Sequence, residues 1–441
     1  MVEEVEVLLG PEGVAELDFE ALEVALRQRT LGLAARAIEQ RLNADLSDQS
    51  CPQLDCVCGK PARYAGRRAK QVQTVLGRLC LERAYYHCSS CGHGFCPRDQ
   101  QLGIENTRLS PALTRMTGTV GAMVSFEEGS ELLRELAGVA VEAKQVERTA
   151  EALGKQVAED ERRYTEPQHS LALPQTLYLG MDGTGVPLRA EELVGRSGKQ
   201  VDGSAKTGEV KLCTVWSAES LDQEGIPVRD EGSISYSAAL ESASVPDTAT
   251  QRSAFAERVW REATRRRFDQ ARRRAVLGDG AAWIWHIADD QFPEAIQIVD
   301  RFHAKQHLSE LGKALYGPTS PRASQWADRR KKELDSGLFP ALLGAIRRQV
   351  PRSEDARRCL HYFRTNRKRM RYPEFHAQGL CTSTGVVEAG CKVAIATRLK
   401  RAGMHWTVRG SNAIIALRCS KLSGRFQDFW ERRADAELKA A

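Results

Sequence analysis

Apolar runs that end in an acid constrain this chain more than any other feature. Leu177-Tyr-Leu-Gly-Met-Asp-Gly183 reads as a buried strand that delivers the carboxylate of Asp182 to its tip. An isolated buried carboxylate is costly, so Asp182 calls for hydrogen bonds or a cation. Arg274-Ala-Val-Leu-Gly-Asp-Gly280 repeats the arrangement with Asp279, and Ala295-Ile-Gln-Ile-Val-Asp300 repeats it with Asp300. Asp-Gly after a strand is also an ordinary turn signal, and each run alone fits that reading. Three together point to a shared metal site. A fourth acid, Glu388, falls in the first turn of a helix that Ser383 or Thr384 caps. Helical spacing puts Glu388, Lys392, Ile395 and Leu399 on one face, apolar enough to pack on a sheet and acidic at one end.

At 441 residues, 42% hydrophobic and 28% charged, the chain is expected to be globular, with two to four domains. Its start carries no basic segment followed by an apolar one, and no apolar run reaches membrane-spanning length, so a cytoplasmic, nucleoid-associated protein with no membrane partner is expected. In that setting twelve cysteines read as metal ligands and buried thiols rather than disulfides. The net charge of +6 is modest, but clustered arginines permit a polyanionic partner.

Residues 18–46 have apolar positions near helical spacing and suit packing or self-association. Cys56-Val-Cys58-Gly and Cys88-Ser-Ser-Cys91-Gly then flank two β-like runs, 71–76 and 79–86, joined at Gly77-Arg78. Two cysteine knuckles around a hairpin are what a zinc ribbon needs, because four thiolates must converge tetrahedrally and each Gly allows the tight turn. The predicted Zn²⁺ ligands are Cys56, Cys58, Cys88 and Cys91. The first knuckle is irregular, with Asp55 where a regular one places Cys, so Cys51, His87, His93 and Cys96 stand as substitutes. From Ser110 to about Tyr164 the pattern is helical; 131–138 and 141–153 resemble a helix-turn-helix with Gly138 at the turn, which would put Lys144 and Arg148 against DNA, although a plain helical hairpin fits nearly as well. A linker, 167–174, leads into the Asp182 strand.

Beyond Asp182, 185–189 and 209–216 read as strands separated by a loop from Gly195 to Gly208, and a helix from Gln251 to about Arg267 crosses to the Asp279 strand. The run from Arg265 to Arg274 reads as a solvated helix end or as a phosphate contact. Strand, strand, strand, helix, strand, helix, strand, helix, with acids on the first strand, the fourth strand and the last helix, is the order of an α/β ribonuclease H-like core. The Arg-rich segment 308–380 is too long for a loop and reads as a helical insertion. The expected division is therefore 1–50 helical, 51–105 zinc-ribbon-like, 106–170 helical and DNA-binding, 171–307 the first part of the core, 308–380 the insertion, and 381–441 the last core helix with a basic tail.

With these residues in view, the chain resembles bacterial insertion-sequence transposases of the DDE class, most closely the ISKra family and more distantly Mutator-like transposases. The likeness rests on 178–187, 278–285, 299–307, 385–392 and 398–406 and spans nearly the whole chain. It implies Asp182, Asp279 and Glu388 as the catalytic triad, and Asp300-x-x-His303 matches an element of the Mutator-like relatives. It also implies two Mg²⁺ (or Mn²⁺) ions, with Asp182 bridging both and Asp279 and Glu388 each holding one, an arrangement that activates the attacking oxygen and stabilises the leaving one. Asp300 competes with Asp279 as the second acid but pairs more naturally with His303. His303 either bonds Asp300 in the interior or orients the phosphate and its leaving group.

Lys392, Arg398, Lys400, Arg401, His405, Trp406 and Arg409 mix cations with an aromatic, as a surface holding DNA beside the metals requires. Trp406 suits stacking on a base or closing a core equally well. The expected partners are double-stranded DNA, as element ends and target, and further copies of the chain. A zinc-ribbon regulator on an inactivated fold and a simple nuclease or resolvase are the competing functions. The intact acids disfavour the first and the amino-terminal modules disfavour the second.

Overall fold

The computed structural model describes residues 18–167, 173–195, 205–242 and 252–440. The acidic start of the chain, Gln251 and most of the expected 167–174 linker and 195–208 loop lie outside the described residues. The protein is mixed α/β, and among the described residues no helix is long and apolar enough to cross a membrane. It divides into two compact units, Met1–Leu153 with Gln427–Ala441, and Gly154–Phe426.

In the first unit, α1 (Phe19–Ala44) precedes a four-stranded antiparallel sheet of β1 (Gln53–Asp55), β2 (Pro61–Thr74), β3 (Gly77–His87) and β4 (Gly94–Phe95). β4 pairs only Tyr86 and His87, which leaves most of one β3 edge open. Side chains of α1 close it. The Cys80 amide donates to Glu39 (2.6 Å), Asn43 donates to the Cys80 carbonyl (2.9 Å), and the Glu82 amide donates to Asn43 (2.9 Å). Unpaired strand groups are thus satisfied by a helix rather than left as a template for another strand. The hairpin turn is Val75-Leu76, with Thr74 paired to Gly77, and not Gly77-Arg78 as the sequence suggested. The Thr74 hydroxyl bonds the Gly77 carbonyl and receives the Leu76 amide, a local side-chain turn that the β-like pattern hides.

After a short helical turn at Pro97–Gln101 come three longer helices: α2 (Pro111–Met123), α3 (Phe126–Ala137) and α4 (Ala143–Arg163). Ser125 and Glu128 cap α3 reciprocally, and Gly138 ends it at φ 70° in the left-handed region, where glycine avoids the Cβ clash. Leu109, Leu113, Leu133, Val139, Val141 and Val146 form the core of this group.

The second unit is built on a five-stranded mixed sheet. Its strands are β5 (Thr176–Pro187), β6 (Thr207–Ser217), β9 (Ser235–Ala239), β10 (Arg273–Gly278) and β11 (Ile296–Val299), with a small hairpin of β7 (Ser220–Leu221) and β8 (Pro227–Val228) between β6 and β9. The order is β11-β10-β5-β6-β9; β11, β10 and β5 run parallel, and β5, β6 and β9 are antiparallel. Helices cover both faces. Leu212 of β6 meets the small residue Gly390, while the neighbouring Lys211 puts its ammonium 4.8 Å over the Trp283 ring, itself packed on Phe255 of α5 (Ala254–Arg265). α6 (Ala282–Gln291) joins β10 to β11, and α7 (Arg301–Tyr316) leaves β11. The expected insertion is helical: α8 (Pro321–Asp335), α9 (Phe339–Arg347), α10 (Glu354–Thr365) and α11 (Tyr372–Ala377).

Glu388 lies in α12 (Gly385–Gly390), which continues as a π-helical segment, Cys391–Ala396, before α13 (Val408–Leu422). The wider π turn breaks the single face expected for Glu388, Lys392, Ile395 and Leu399: the first two are exposed and the last two buried. Gly180 is what lets α12 lie on β5, since a Cβ there would strike Val387 and Trp216.

Candidate metal centres

The ribbon's thiols converge. The Sγ atoms of Cys56, Cys58, Cys88 and Cys91 all lie within 4.8 Å of one another, with Cys56 to Cys91 at 3.6 Å and Cys58 to Cys88 at 3.7 Å. A tetrahedral Zn²⁺ with Zn–S near 2.3 Å requires S···S edges of about 3.8 Å, so the four thiols suit a structural zinc. Backbone turns build both knuckles: Gly59 and Gly92, each at φ 73°, donate to the carbonyls of Cys56 (2.8 Å) and Cys88 (2.9 Å). The Cys-x-Cys pair reaches the cluster from within one tight turn, Cys56 to Lys60, that the Cys56 amide closes onto the Lys60 carbonyl at 2.9 Å. Of the substitutes, Cys51, His87, His93 and Cys96 are outside this group. The Cys91 and Ser90 amides hold the Cys88 thiol down to about 7. At Cys91 the amide of His93 works in the same direction, but the surrounding thiols outweigh it and push that group up to about 12.

In the second unit, register brings the three aspartates into line. Gly180 of β5 pairs with Leu277 of β10, and Leu277 with Ile298 of β11; Asp182, Asp279 and Asp300 each stand two residues beyond that line. They mark the carboxyl ends of the parallel strands, where open α/β sheets place ligands. β5 itself does not end at Asp182, as the sequence suggested. It continues to Pro187 paired with β6, so Asp182 is at the tip only with respect to β10.

Each acid is held differently. Asp182 receives the Gly183 amide (2.7 Å) and the Cys391 thiol (3.4 Å). Burial pushes its carboxyl up, with the Asp279 charge adding, while those two donors and His303 pull it back. Asp279 receives the Ala281 amide at 2.9 Å, and its carbonyl accepts from the hydroxyl of Tyr362 at 2.9 Å. Asp300 is buried and caps α7 through the His303 amide (2.7 Å); the Thr384 amide and hydroxyl (2.6 Å for the latter) occupy its other oxygen. Burial alone would raise the Asp300 carboxyl, but these bonds and the His303 side chain hold it below its usual range. Glu388 is exposed, with the Thr384 hydroxyl 3.3 Å from Oε1. Thr384 therefore does not cap α12 by its side chain; Ser383 receives the Gly385 amide at 3.1 Å.

His303 is the hub. Its Nδ1 lies 3.7 Å from Asp300 and 3.6 Å from Glu388, and its charge interacts with those of Asp279 and Asp182 as well. Asp300 foremost pushes the imidazole up to about 9 against a smaller opposing effect of burial. At 3.7 Å that contact is an ion pair longer than a hydrogen bond, so charge rather than bond geometry carries it. Oxygens of Asp300 and Glu388 and a nitrogen of His303 lie within 4.8 Å of one another, close enough to share a cation. Asp182 and Asp279 stand around this group rather than within it.

Other expected contacts fare differently. Arg398 and Trp406 are buried, with the guanidinium 5.1 Å from the indole centroid and the indole N–H on the Leu399 carbonyl (3.0 Å). Trp406 also bridges Leu188 beyond β5. Neither can present itself to DNA, and both close the core. Lys392, Arg401, His405 and Arg409 are exposed, and Lys400 reaches the Thr184 hydroxyl at 2.5 Å. On α4, Arg148 is exposed and Lys144 pairs with Glu147 at 2.6 Å. Sequence reasoning missed Tyr362, Thr384 as the partner of Asp300, and Cys391. Only Thr384 carried a signal, as a hydroxyl beside an acid-bearing helix.

No protein-family model and no curated protein matches the chain.

Proposed function

We propose that the chain is a transposase of the DDE class, of the insertion-sequence kind described above, which binds the ends of its element, cuts the DNA there and joins those ends to a target. The observation that carries the reading is the line of Asp182 and Asp279 at the ends of adjacent parallel strands, with Glu388 on the helix that Gly180 lets pack on β5. The strand order supports a ribonuclease H-like core: a meander of β5, β6 and β9, extended past β5 by two parallel strands reached through helices.

The donor set fits hard divalent ions. Asp182, Asp279 and Glu388 offer carboxylate oxygens, and Glu388 is open to water and substrate. Asp300 lies nearer to Glu388, yet three of its roughly four acceptor sites already hold protein donors. We assign it to positioning His303 and Thr384. Two Mg²⁺ or Mn²⁺ ions held by Asp182, Asp279 and Glu388 would supply the activation of the attacking oxygen and the stabilisation of the leaving one.

The chain's own residues orient the reaction. Asp300 fixes the first turn of α7, and its charge favours the protonated form of His303, which faces Glu388, where it can donate to a phosphate oxygen or to the departing 3′ oxygen. The Cys391 thiol, pushed up by burial, remains a neutral donor to Asp182. Lys392 and Lys400 offset negative charge where the phosphate enters. In the first unit, zinc would fix the ribbon and Arg148 would contact the element's ends.

The test separates chemistry from binding. Glu388→Gln keeps volume and removes an anionic ligand, so Mg²⁺-dependent cutting should fall by orders of magnitude while gel shifts of end DNA persist. Arg148→Ala should weaken end binding and leave nicking of nonspecific DNA intact. If Glu388→Gln cuts like the parent, or if both variants lose binding equally, the assignment is wrong.

A further inference from the structure

Positive charge is concentrated in one part of the second unit. Between Phe339 and Arg371 there are ten Lys and Arg residues against two acids, in a chain whose whole net charge is only +6. Arg357 and Arg358 pair with those two acids, Glu354 and Asp355. Arg347, Arg348, Arg352, Arg364, Arg367 and Lys368 are exposed, and none is ion-paired among the described residues. A solvated helix face normally mixes both signs of charge, because like charges at helical spacing repel one another. An excess left uncompensated is instead the footprint of a polyanion.

Its position links it to the carboxylates. Tyr362 is on the same helix, α10, two residues before Arg364, and its hydroxyl donates to the Asp279 carbonyl at 2.9 Å. Its ring closes over Gly280, where φ is 106° and a Cβ would come within 2.5 Å of Tyr362 Cε2, and it lies against the His307 ring, with 4.1 Å between centroids. Burial pushes the hydroxyl up, so it stays a neutral donor. The core side of α10 buries Ala356, Cys359, Leu360 and Phe363, while Arg364, at the end of the helix, and the following Arg367 and Lys368 are exposed. A phosphate backbone approaching three carboxylates is repelled unless cations flank its path, and these exposed cations follow on from the helix whose Tyr362 holds the Asp279 loop.

We propose that this outer surface of the insertion, from Arg347 to Lys368, holds the phosphate backbone of duplex DNA as it passes the carboxylates. The inference rests on the reading of that cluster as a DNA-cutting centre. The surface recognises charge and not sequence, so it would carry flanking or target DNA as readily as element ends.

The experiment compares the full chain with Arg364→Glu/Arg367→Glu/Lys368→Glu on a labelled linear duplex across a salt series, without added divalent ion, so that binding is read apart from cutting. Each lost phosphate contact flattens the slope of log K against log salt by about 0.9, so the triple variant should bind at least ~10-fold more weakly near 0.1 M salt, with a slope shallower by about two to three. Arg364→Lys/Arg367→Lys should bind like the parent. If the triple variant does not fold, Arg347→Glu/Arg348→Glu on α9 decides the matter by the same slope. An unchanged slope in a folded charge-reversal variant overturns the proposal. So does tighter binding of duplex RNA than of duplex DNA, or no binding of DNA by the parent. If the slopes shift as expected but the parent never cuts DNA with Mg²⁺ or Mn²⁺, the surface stands and the catalytic reading fails.

Discussion

Arg425 is buried between two carboxylates, 3.2 Å from Glu161 and 2.9 Å from Glu262, and Glu262 also meets Arg265 at 3.3 Å. Burial alone would raise the Glu262 carboxyl, but the charges of Arg425 and Arg265 bring it from 4.5 down to about 2. A carboxylate depressed in the folded state stabilises fully above its unfolded pKa, and that contribution is lost as pH falls from about 4.5 through about 2. Acid unfolding followed by circular dichroism should show a component in that window which Glu262→Gln lacks. At pH 7 the same substitution leaves Arg425 short of a partner and should cost about 3–5 kcal/mol, read by urea unfolding. An unchanged midpoint at neutral pH would contradict this. At the same scale, the alignment of Asp182, Asp279 and Asp300 at the ends of the parallel strands was legible because an acid closing an apolar run is expensive to bury and so stands at a strand's end. Arg398 and Trp406 misled because a cation and an aromatic side by side describe a nucleic-acid surface and a buried stacked pair equally well. Tyr362 and Cys391 reach the site from 83 and 209 residues away from their partners, and no local pattern records such a contact.

The elements that carry the site were foreseen in kind and missed in detail where local chemistry overrode periodicity. Residues 385–399 have the 3.6-residue pattern of an α-helix, but the π segment turns Cys391 toward Asp182 and leaves Glu388 and Lys392 outward. Asp182 read as a strand end because Gly183 follows it, with a new strand from Gly185, yet both glycines stay in the β5–β6 ladder. At Gly185 a Cβ would crowd Thr207 at 2.7 Å, so these glycines reflect close cross-strand packing rather than a turn. The cysteine cluster was the most legible feature, because two cysteine-bearing turns flanking a hairpin bring four thiols together with little help from the rest of the fold. Purified protein should hold about one zinc per chain, and Cys88→Ser/Cys91→Ser should lose it together with the near-ultraviolet signal of the Tyr64–Tyr86–Phe95 aromatic group beside the thiols. Full aromatic signal in zinc-free protein would show that the ribbon's fold does not depend on metal.

Across the whole molecule, the alternation of acid-ended strands with helices and the long polar insertion were readable from sequence, but the three leading strands were not: the expected 177–183 and 185–189 are the single strand β5, and β9 was not foreseen. What sequence left open was the use of the insertion, which sends Tyr362 back to the Asp279 loop and carries the chain's excess of positive charge. On the proposed function, Asp182, with Asp279 and Glu388, makes this fold a metal-dependent DNA-cutting centre. That reading is tested most directly by incubating the purified chain with DNA carrying the ends of its own element, with and without Mg²⁺ or Mn²⁺, beside Asp182→Asn at equal DNA occupancy. Cuts at the element's boundaries are expected only with the divalent ion, with a fall of several orders of magnitude in Asp182→Asn. Cutting that needs no divalent ion, or that survives in Asp182→Asn, would contradict it.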